Sequence, residues 1–163
     1  MNKAIIFDRD GTINIDTGYI HKEKDFVFKP TAISAIKKLN DNDYRVIVIT
    51  NQSGIGRGLY KKEDVDSLHE YINQVLEKHS AKIDAFYYCP HKPEEHCICR
   101  KPKTYFHQKA ISEYNIYVKK LTLIGDKKSD VLPASDIGCN FFWLKDNIDL
   151  IEVIDRIIWR DSS

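Results

Sequence analysis

The sequence predicts an α/β fold: a doubly wound parallel sheet with strand order 3-2-1-4-5, in a single domain spanning residues 1–163. Five short apolar runs alternate with segments of helical periodicity, which is the pattern of βαβ units. The 163-residue chain is long enough for one hydrophobic core, and its 42% hydrophobic content is ordinary for a globular protein. No segment between these runs is long enough for a large cap domain, so we expect an open site rimmed by short loops.

The first half of the chain is expected to supply two strands and two helices. In order, these are a strand at 4–7, a polar loop at 14–29, a helix from Pro30 to about Asn40, a strand at Tyr44–Thr50, a glycine-bearing loop at 51–58 and a helix at Lys61–His79. Pro30 suits the first turn of a helix, where a missing N–H costs little. The continuous β-branched run of the second strand is typical of a strand that is buried on both faces.

The second half continues the alternation. It predicts strands at Ile83–Tyr88, Lys120–Gly125 and Asn140–Leu144, and helices at Thr104–Tyr114, about Asp130–Asp136 and Ile148–Trp159. Pro133 is expected in the first turn of the helix after the fourth strand. With the strand order given above, strands two, one and four are neighbours, so Asp8, Thr50 and Asp126 should meet at the carboxyl edge of the sheet, where open α/β sheets bind ligands.

The stretch Asp8-Arg9-Asp10-Gly11-Thr12 is the strongest chemical signal in the sequence. Two carboxylates on a tight loop suit a divalent cation and a phosphate group, because the metal offsets their mutual repulsion. Asp and Gly are also common in ordinary turns, so this stretch alone does not decide between a turn and a site. In the same way, Thr50 could be a strand former, Lys101 a solvated cation, and Asp130 a helix cap.

A loop at about 89–102 carries three of the four cysteines. Cys89, His91, Cys97 and Cys99 offer three thiolates and one imidazole, which is the composition of a structural zinc site. His96 is the competing ligand, and three reduced thiols in a surface loop are the metal-free alternative. A loop of prolines and charges has little apolar material to order it, which favours the metal. Cys139, beside an apolar strand, is better interpreted as a small buried hydrophobic residue.

Taken together, the motifs resemble the haloacid dehalogenase superfamily of phosphohydrolases. The aspartate motif, Thr50, Lys101 and the stretch Gly125–Asp130 occur in that family's order and span most of the chain. The zinc loop and the stretch Thr50–Gly58 narrow the resemblance to the D-glycero-D-manno-heptose 1,7-bisphosphate 7-phosphatases, with histidinol-phosphate phosphatases as close relatives. The five residues between His91 and Cys97 make this zinc loop shorter than is usual in that family.

The resemblance implies a mechanism. Asp8 would attack phosphorus to form an aspartyl-phosphate, and Asp10 would exchange a proton with the leaving oxygen and then with water. Magnesium would be held by a carboxylate oxygen of Asp8, the backbone carbonyl of Asp10 and the side chain of Asp126, with Asp130 orienting that set. Further residues would hold the phosphoryl group and the substrate: Asp16, Thr17, Gly18, Tyr19, Thr50, Asn51, Gln52, Ser53, Arg100, Lys101 and Lys127.

Two arginines take no part in the chemical steps of that scheme. Arg57, in the glycine-bearing loop, and Arg100, on the cysteine loop, are both expected at the mouth of the site. An arginine fork suits bidentate binding of a phosphate or carboxylate, so we expect the substrate to carry a second anionic group. The alternative is that both side chains are simply solvated.

Composition restricts the partners and the location. A formal net charge of +1 gives no reason to expect nucleic acid or a membrane surface as a partner. The apolar run at the amino terminus is too short for a signal peptide, and no segment reaches the length of a membrane span. Cysteines without a secretion signal indicate the cytosol. We expect a cytoplasmic monomer that acts on a small sugar phosphate or bisphosphate; the alternatives are histidinol phosphate as substrate, or a non-catalytic zinc-stabilised binding module.

Overall fold

The computed structural model describes residues 1–145 and 148–163 and contains a five-stranded sheet. The strands are β1 (Asn2–Phe7), β2 (Tyr44–Asn51), β3 (Ala85–Cys89), β4 (Ile116–Gly125) and β5 (Asn140–Trp143). Their order is β3-β2-β1-β4-β5, and every neighbouring pair is parallel. The predicted fold class and strand order are confirmed.

Helices cover both faces of the sheet. They are α1 (Ala32–Asp41), α2 (Lys62–Glu77), α3 (Tyr105–Glu113), α4 (Lys128–Val131), α5 (Pro133–Ile137) and α6 (Leu150–Asp161). Alternate side chains of β1 enter two separate cores: Ile5 and Phe7 pack with α1, α2 and α6, whereas Ala4 and Ile6 pack with α3 and α5. This alternation explains why the strands are almost continuously apolar in the sequence.

Several predicted boundaries are wrong by two residues: β1 begins at Asn2 rather than residue 4, β3 begins at Ala85 rather than Ile83, α2 ends at Glu77 rather than His79, and α6 spans Leu150–Asp161 rather than Ile148–Trp159.

Three further boundaries differ in ways that change the local structure. Helix α1 begins at Ala32 rather than Pro30, because Thr31 has a left-handed φ of 68° that separates the proline from the helix. Strand β4 begins at Ile116 rather than Lys120, and its register against β1 shifts between Asn2 and Ala4. The single helix predicted at 130–136 is two short helices, and Pro133 begins the second of them.

The loops that follow β1, β2, β3 and β4 all lie at the carboxyl edge of the sheet. Strands β2, β1 and β4 are adjacent, so their first loop residues, which follow Asn51, Phe7 and Gly125, come together there. Within the described ranges, the helices lack the length and apolar character needed to span a bilayer.

Candidate active site

Asp8 is the first residue after β1, and its carboxylate is buried at the carboxyl edge of the sheet. Its backbone N–H donates to the carbonyl oxygen of Ile124 on β4 at 3.0 Å, which continues the sheet hydrogen bonding up to the site. The side chain is only 7% exposed. Burial raises the pKa of Asp8 to about 7, although the nearby Lys101 ammonium opposes that shift. A carboxylate in this position therefore depends on neighbouring positive charge to be ionised.

Lys101, on the cysteine loop, supplies that positive charge to the carboxylates of Asp8 and Asp130. Its Nζ donates to Asp8 Oδ1 at 2.9 Å, to Asp130 Oδ1 at 2.8 Å and to the carbonyl oxygen of Ile49 at 2.7 Å. Burial alone would lower the pKa of Lys101, but the two carboxylates outweigh burial and raise it. The ammonium is thus fully charged, and its three N–H groups have acceptors. Asn51 fixes the backbone here, since its amide exchanges hydrogen bonds with the N–H and carbonyl of Lys101 at 3.0 and 3.3 Å.

Asp126 completes a group of carboxylates that can hold a divalent cation. Oxygens of Asp8, Asp126 and Asp130 lie within 4.8 Å of one another. Among the described residues, the buried Oδ1 of Asp126 has no hydrogen-bond partner, which is the state expected of an oxygen reserved for a ligand. Burial, followed by the charge of Asp130, raises the pKa of Asp126. Carboxylate oxygens are the ligands that Mg²⁺ prefers, so the residues present fit that ion.

Gly11 is required beside this group for two reasons. Its φ is +87°, a conformation that side chains of other residues rarely adopt, and a Cβ at this position would lie 2.2 Å from Oδ2 of Asp126. The glycine thereby lets the loop after β1 approach the carboxylate on the loop after β4.

Asp10 is held by several donors rather than by a single neighbour. Asn14 Nδ2 donates to Asp10 Oδ1 at 3.0 Å, and Gln52 Nε2 donates to Asp10 Oδ2 at 3.1 Å. Gln52 also donates to Thr50 Oγ1 at 2.9 Å and accepts from the Tyr60 hydroxyl at 2.6 Å. These contacts tie the loop after β1 to the loop after β2 and fix the orientation of the Asp10 carboxylate.

Arg9, between the two aspartates, is fully buried. Its Nε and Nη2 donate to Asp10 Oδ1 and Oδ2 at 3.0 and 3.1 Å, and Nη2 also donates to the carbonyl oxygen of Ile20 at 2.8 Å. Nη1 lies 3.1 Å from Nε2 of His69 on α2. His69 is itself buried and does not line the polar cleft that opens above the aspartates.

A polar cleft of about 280 Å³ opens above these residues. Most of the substrate-contact positions expected from the sequence line it: Asp16, Gly18, Tyr19, Thr50, Asn51, Gln52, Ser53, Arg100, Lys101 and Lys127. Thr17 and Arg57 are not among the lining residues. Arg57 is exposed, and its Nε lies 3.4 Å from the hydroxyl of Ser53, so it stands beside the rim.

The four ligands expected for zinc lie together in the loop after β3. The ligand atoms of Cys89, His91, Cys97 and Cys99 all lie within 4.8 Å of one another, and the sulfur of Cys89 or Cys99 is 2.8 to 3.9 Å from each of its partners in the cluster. A tetrahedral zinc with bonds of about 2.3 Å to sulfur needs ligand atoms roughly 3.7 Å apart, so this cluster could hold the ion with small adjustments. His96 is exposed and lies outside the cluster. The sulfurs are free thiols, and no disulfide competes for them in the described chain.

The cysteine loop is attached directly to the cleft. The N–H of Gln52 donates to the carbonyl oxygen of Cys89 at 2.8 Å, and the N–H of Gly56 donates to that of Pro90 at 2.9 Å. Arg100 Nη1 lies 3.5 Å from the carbonyl oxygen of His91. The cysteine loop is therefore hydrogen-bonded to the loop after β2. It also carries the two cations that face the cleft, Arg100 and Lys101, so its order fixes their positions.

Arg9, His69 and Tyr60 were not identified from the sequence as parts of the site. A signal did exist for two of them. Arg9 is a long cation placed between two acids at the end of a buried strand, and His69 lies on the apolar stripe of α2 with Val65 and Ile72. Tyr60 gave no such signal, because its position depends on the fold of the glycine-bearing loop: Gly54 leaves the space that the tyrosine ring occupies.

Comparison with known sequences identifies relatives along most of the chain. Residues 3–136 match the family model described as polynucleotide kinase 3 phosphatase. D-glycero-beta-D-manno-heptose-1,7-bisphosphate 7-phosphatase from Helicobacter pylori is 42% identical over 152 residues, covering 93% of this chain and 85% of that protein. The enzyme of the same name from Haemophilus ducreyi is 41% identical, with 83% and 79% covered.

Two solved structures that match this chain over most of its length are also named as heptose bisphosphate phosphatases. The crystal structure of D,D-heptose 1,7-bisphosphate phosphatase from B. bronchiseptica, complexed with magnesium and phosphate, matches with a TM-score of 0.86 and 28% identity, covering 97% of this chain and 99% of that one. The enzyme of that name from Burkholderia thailandensis matches with a TM-score of 0.59 and 29% identity, covering 84% of this chain and 74% of that one.

Proposed function

The chain belongs to the polynucleotide kinase 3 phosphatase family, within the haloacid dehalogenase superfamily of phosphatases, and we propose that it is a magnesium-dependent sugar-phosphate phosphatase. The observation that carries this proposal is the group formed by Asp8, Lys101 and Asp130, with the unpartnered oxygen of Asp126 beside it. Asp8, Lys101 and Asp130 line a polar cleft at the carboxyl edge of the sheet, and a carboxylate oxygen of Asp126 lies within 4.8 Å of those of Asp8 and Asp130. A nucleophile, a fixed cation and a cation-binding position thus share one small space.

Asp8 is the nucleophile in the proposed reaction. One of its oxygens attacks phosphorus, the bond from phosphorus to the sugar oxygen breaks, and an aspartyl-phosphate forms. Asp10 protonates the departing sugar oxygen and then accepts a proton from the water that attacks the aspartyl-phosphate. That second attack releases inorganic phosphate and restores Asp8.

Positive charge and hydrogen-bond donors hold the transferring group during both steps. Lys101 is already placed at 2.9 Å from Asp8, and Thr50 is buried beside it at the end of β2. Preorganised groups of this kind stabilise the charge on the phosphoryl oxygens as it develops. Asp8, Asp126 and the backbone carbonyl of Asp10 would hold Mg²⁺, whose charge would neutralise part of that negative charge. Asp130 orients this set through its hydrogen bonds with Lys101 Nζ and the backbone N–H of Lys127.

The substrate that fits the site and its relatives best is a sugar bisphosphate, and specifically D-glycero-beta-D-manno-heptose 1,7-bisphosphate, losing its 7-phosphate. Several relatives above 40% identity carry the name of that activity. Arg100 and Lys127 line the cleft without touching Asp8 in the described contacts, so they are available for a second anionic group. Arg57 stands further out, as a contact at the rim. The product would supply heptose for lipopolysaccharide or surface glycans.

Although the family name refers to polynucleotides, the chain has little to attract one. The formal net charge is +1, whereas binding to a nucleic acid backbone needs a clear excess of positive charge.

Zinc bound by the cysteine cluster would have a structural role, because its protein ligands fill a tetrahedral set. The three free thiols of that cluster favour a reducing compartment, so we place the protein in the cytoplasm. We expect a monomer, since one chain supplies every residue named in the reaction.

A panel assay tests this proposal. The purified protein is given heptose 1,7-bisphosphate, the matching 1-phosphate and 7-phosphate, histidinol phosphate and a short 3′-phosphorylated oligonucleotide, each with magnesium and each with a chelator. We expect magnesium-dependent release of one phosphate per bisphosphate molecule. Faster turnover of histidinol phosphate or of the oligonucleotide would reassign the substrate, and the absence of phosphate release from every compound would contradict the proposed reaction.

A further inference from the structure

The guanidinium of Arg9 has no role in the reaction described above, yet it is completely buried beside one of the reacting groups. A buried cation is tolerated only when its charge is paired and its N–H groups have acceptors. Arg9 satisfies both conditions through the two oxygens of Asp10 and the carbonyl oxygen of Ile20. Because the contact with Asp10 involves both carboxylate oxygens, it fixes the plane of that carboxylate as well as its position.

His69 fixes the guanidinium in turn. Arginine nitrogens can only donate hydrogen bonds, so Nε2 of His69 accepts from Arg9 at 3.1 Å, and the ring carries its proton on Nδ1. Burial, together with the charge of Arg9, lowers the pKa of His69 to about 3, which keeps the ring neutral. The ring is stacked on Phe86 with centroids 4.2 Å apart, and Tyr88 meets its edge at 5.8 Å. His69 is therefore a rigid acceptor that is anchored in α2.

We propose that Arg9 and His69 are positioning residues for Asp10: His69 aims the guanidinium of Arg9, and Arg9 holds the Asp10 carboxylate in place for proton exchange with the leaving sugar oxygen. The inference rests on the proposed function, because that function gives Asp10 its proton transfer. The chain of contacts links the first residues after β1 to the backbone at Ile20, further along the same loop, and to His69 on α2, so the position of Asp10 is tied to a helix of the scaffold as well as to its own loop.

A lysine could not replace Arg9 in this role. One ammonium group cannot span two carboxylate oxygens, a carbonyl oxygen and a ring nitrogen, whereas the planar guanidinium reaches all four. An Arg9→Lys variant separates the contribution of charge from that of geometry, because a lysine keeps the charge and loses the fork.

The experiment depends on the leaving group. When the phosphoryl group of a sugar phosphate is transferred to Asp8, the leaving group is a strongly basic sugar alkoxide that must be protonated as it departs. When the substrate is 4-nitrophenyl phosphate, 4-nitrophenolate leaves readily as an anion. A misplaced Asp10 therefore slows hydrolysis of the alkyl ester much more than that of the aryl ester. The quantity to compare is kcat/KM, since it covers only the steps up to the first irreversible one, here taken to be phosphoryl transfer to Asp8. A general loosening of the fold would lower both values equally.

The variants are His69→Phe, which keeps an aromatic ring but loses the acceptor, His69→Gln, which keeps an acceptor, and Arg9→Lys. Tyr88→Phe is the matched control, because it alters the same aromatic cluster without touching Arg9. For His69→Phe and Arg9→Lys we expect kcat/KM to fall by about 30-fold to 100-fold with the sugar bisphosphate and by about threefold or less with 4-nitrophenyl phosphate. His69→Gln should recover most of the loss, and Tyr88→Phe should leave the ratio of the two values unchanged.

The outcomes are distinguishable. Equal losses with both substrates, in variants whose circular dichroism matches the wild type, would overturn the positioning role and leave the proposed function standing. Full activity of Arg9→Lys would overturn it as well, since charge alone would then suffice. If the wild-type protein hydrolyses neither substrate in the presence of magnesium, the proposed function fails and the inference fails with it. If Arg9→Lys does not fold, the two His69 variants decide the question by the same ratio.

Discussion

Replacing Gly11 by alanine should weaken magnesium binding while leaving the fold in place. The added Cβ would lie 2.2 Å from Oδ2 of Asp126, and that oxygen must retreat until the contact is at least 3.4 Å, the beginning of the ordinary range. Asp126 is the carboxylate whose other oxygen has no partner among the described residues, so the displacement acts directly on the proposed metal ligand.

The size of the effect follows from two separate contributions. A non-glycine residue at a φ of +87° costs about 1–2 kcal/mol of stability, which for a chain of this length lowers Tm by about 2–8 °C. Displacing a metal ligand or its supports typically weakens metal affinity by about 10–100-fold. The first contribution is backbone strain and the second is loss of the site, and they are measured independently.

Gly138→Ala is the matched control for the strain. Gly138 has a φ of +81°, but a Cβ there would meet nothing within 4 Å, and the residue ends α5, outside the residues that line the cleft. The assay is a magnesium titration of phosphate release, with a thermal melt of each variant in a chelator. Both variants should lose similar stability, and only Gly11→Ala should need about 10–100-fold more magnesium. An unchanged magnesium requirement in Gly11→Ala, or an equal increase in Gly138→Ala, would show that the close approach of Gly11 to Asp126 does not govern magnesium binding.

Two further predictions concern the cysteine loop and the rim. Cys97→Ser should bind less zinc by elemental analysis, and its phosphate release should fall because Arg100 and Lys101 lose their ordered backbone; full zinc content in this variant would exclude Cys97 as a ligand. Arg100→Ala should lower kcat/KM for the bisphosphate by about 1.5–3 kcal/mol, the value of a charge-assisted hydrogen bond, and barely change it for the monophosphate. Arg156→Ala, which removes the same charge on the exposed face of α6, is its control, and equal losses with both substrates would place Arg100 on the transferring phosphate.

The fold was predictable wherever the sequence pattern was uninterrupted. The β-branched run of β2 is buried as expected, and the parallel order follows from the alternation of strands and helices. The first residues of β4 were missed because Lys119 and Lys120 interrupt the apolar pattern, although Ile116 still pairs with Asn2 of β1. Helix α1 was started too early because the left-handed conformation of Thr31 has no signature in the local sequence.

The site was predictable as a set of residues but not as a set of contacts. The strand order alone brings Asp8, Thr50 and Asp126 to one edge, since each follows or ends one of three neighbouring parallel strands. The three contacts of the Lys101 ammonium could not be foreseen, because they depend on how a loop that begins after β3 folds back over β1. Arg9 was missed because a cation within a polar motif is normally solvated, and only the tertiary fold shows that it is buried.

We propose that Asp8 attacks phosphorus in a magnesium-dependent reaction with a sugar bisphosphate. Steady-state phosphate release from heptose 1,7-bisphosphate, measured for the wild type and for Asp8→Asn, tests it most directly. Asparagine keeps the shape of the side chain and removes the attacking charge, so turnover should fall by at least about 1,000-fold while circular dichroism stays unchanged. Turnover of the Asp8→Asn variant close to that of the wild type would contradict covalent catalysis at this residue.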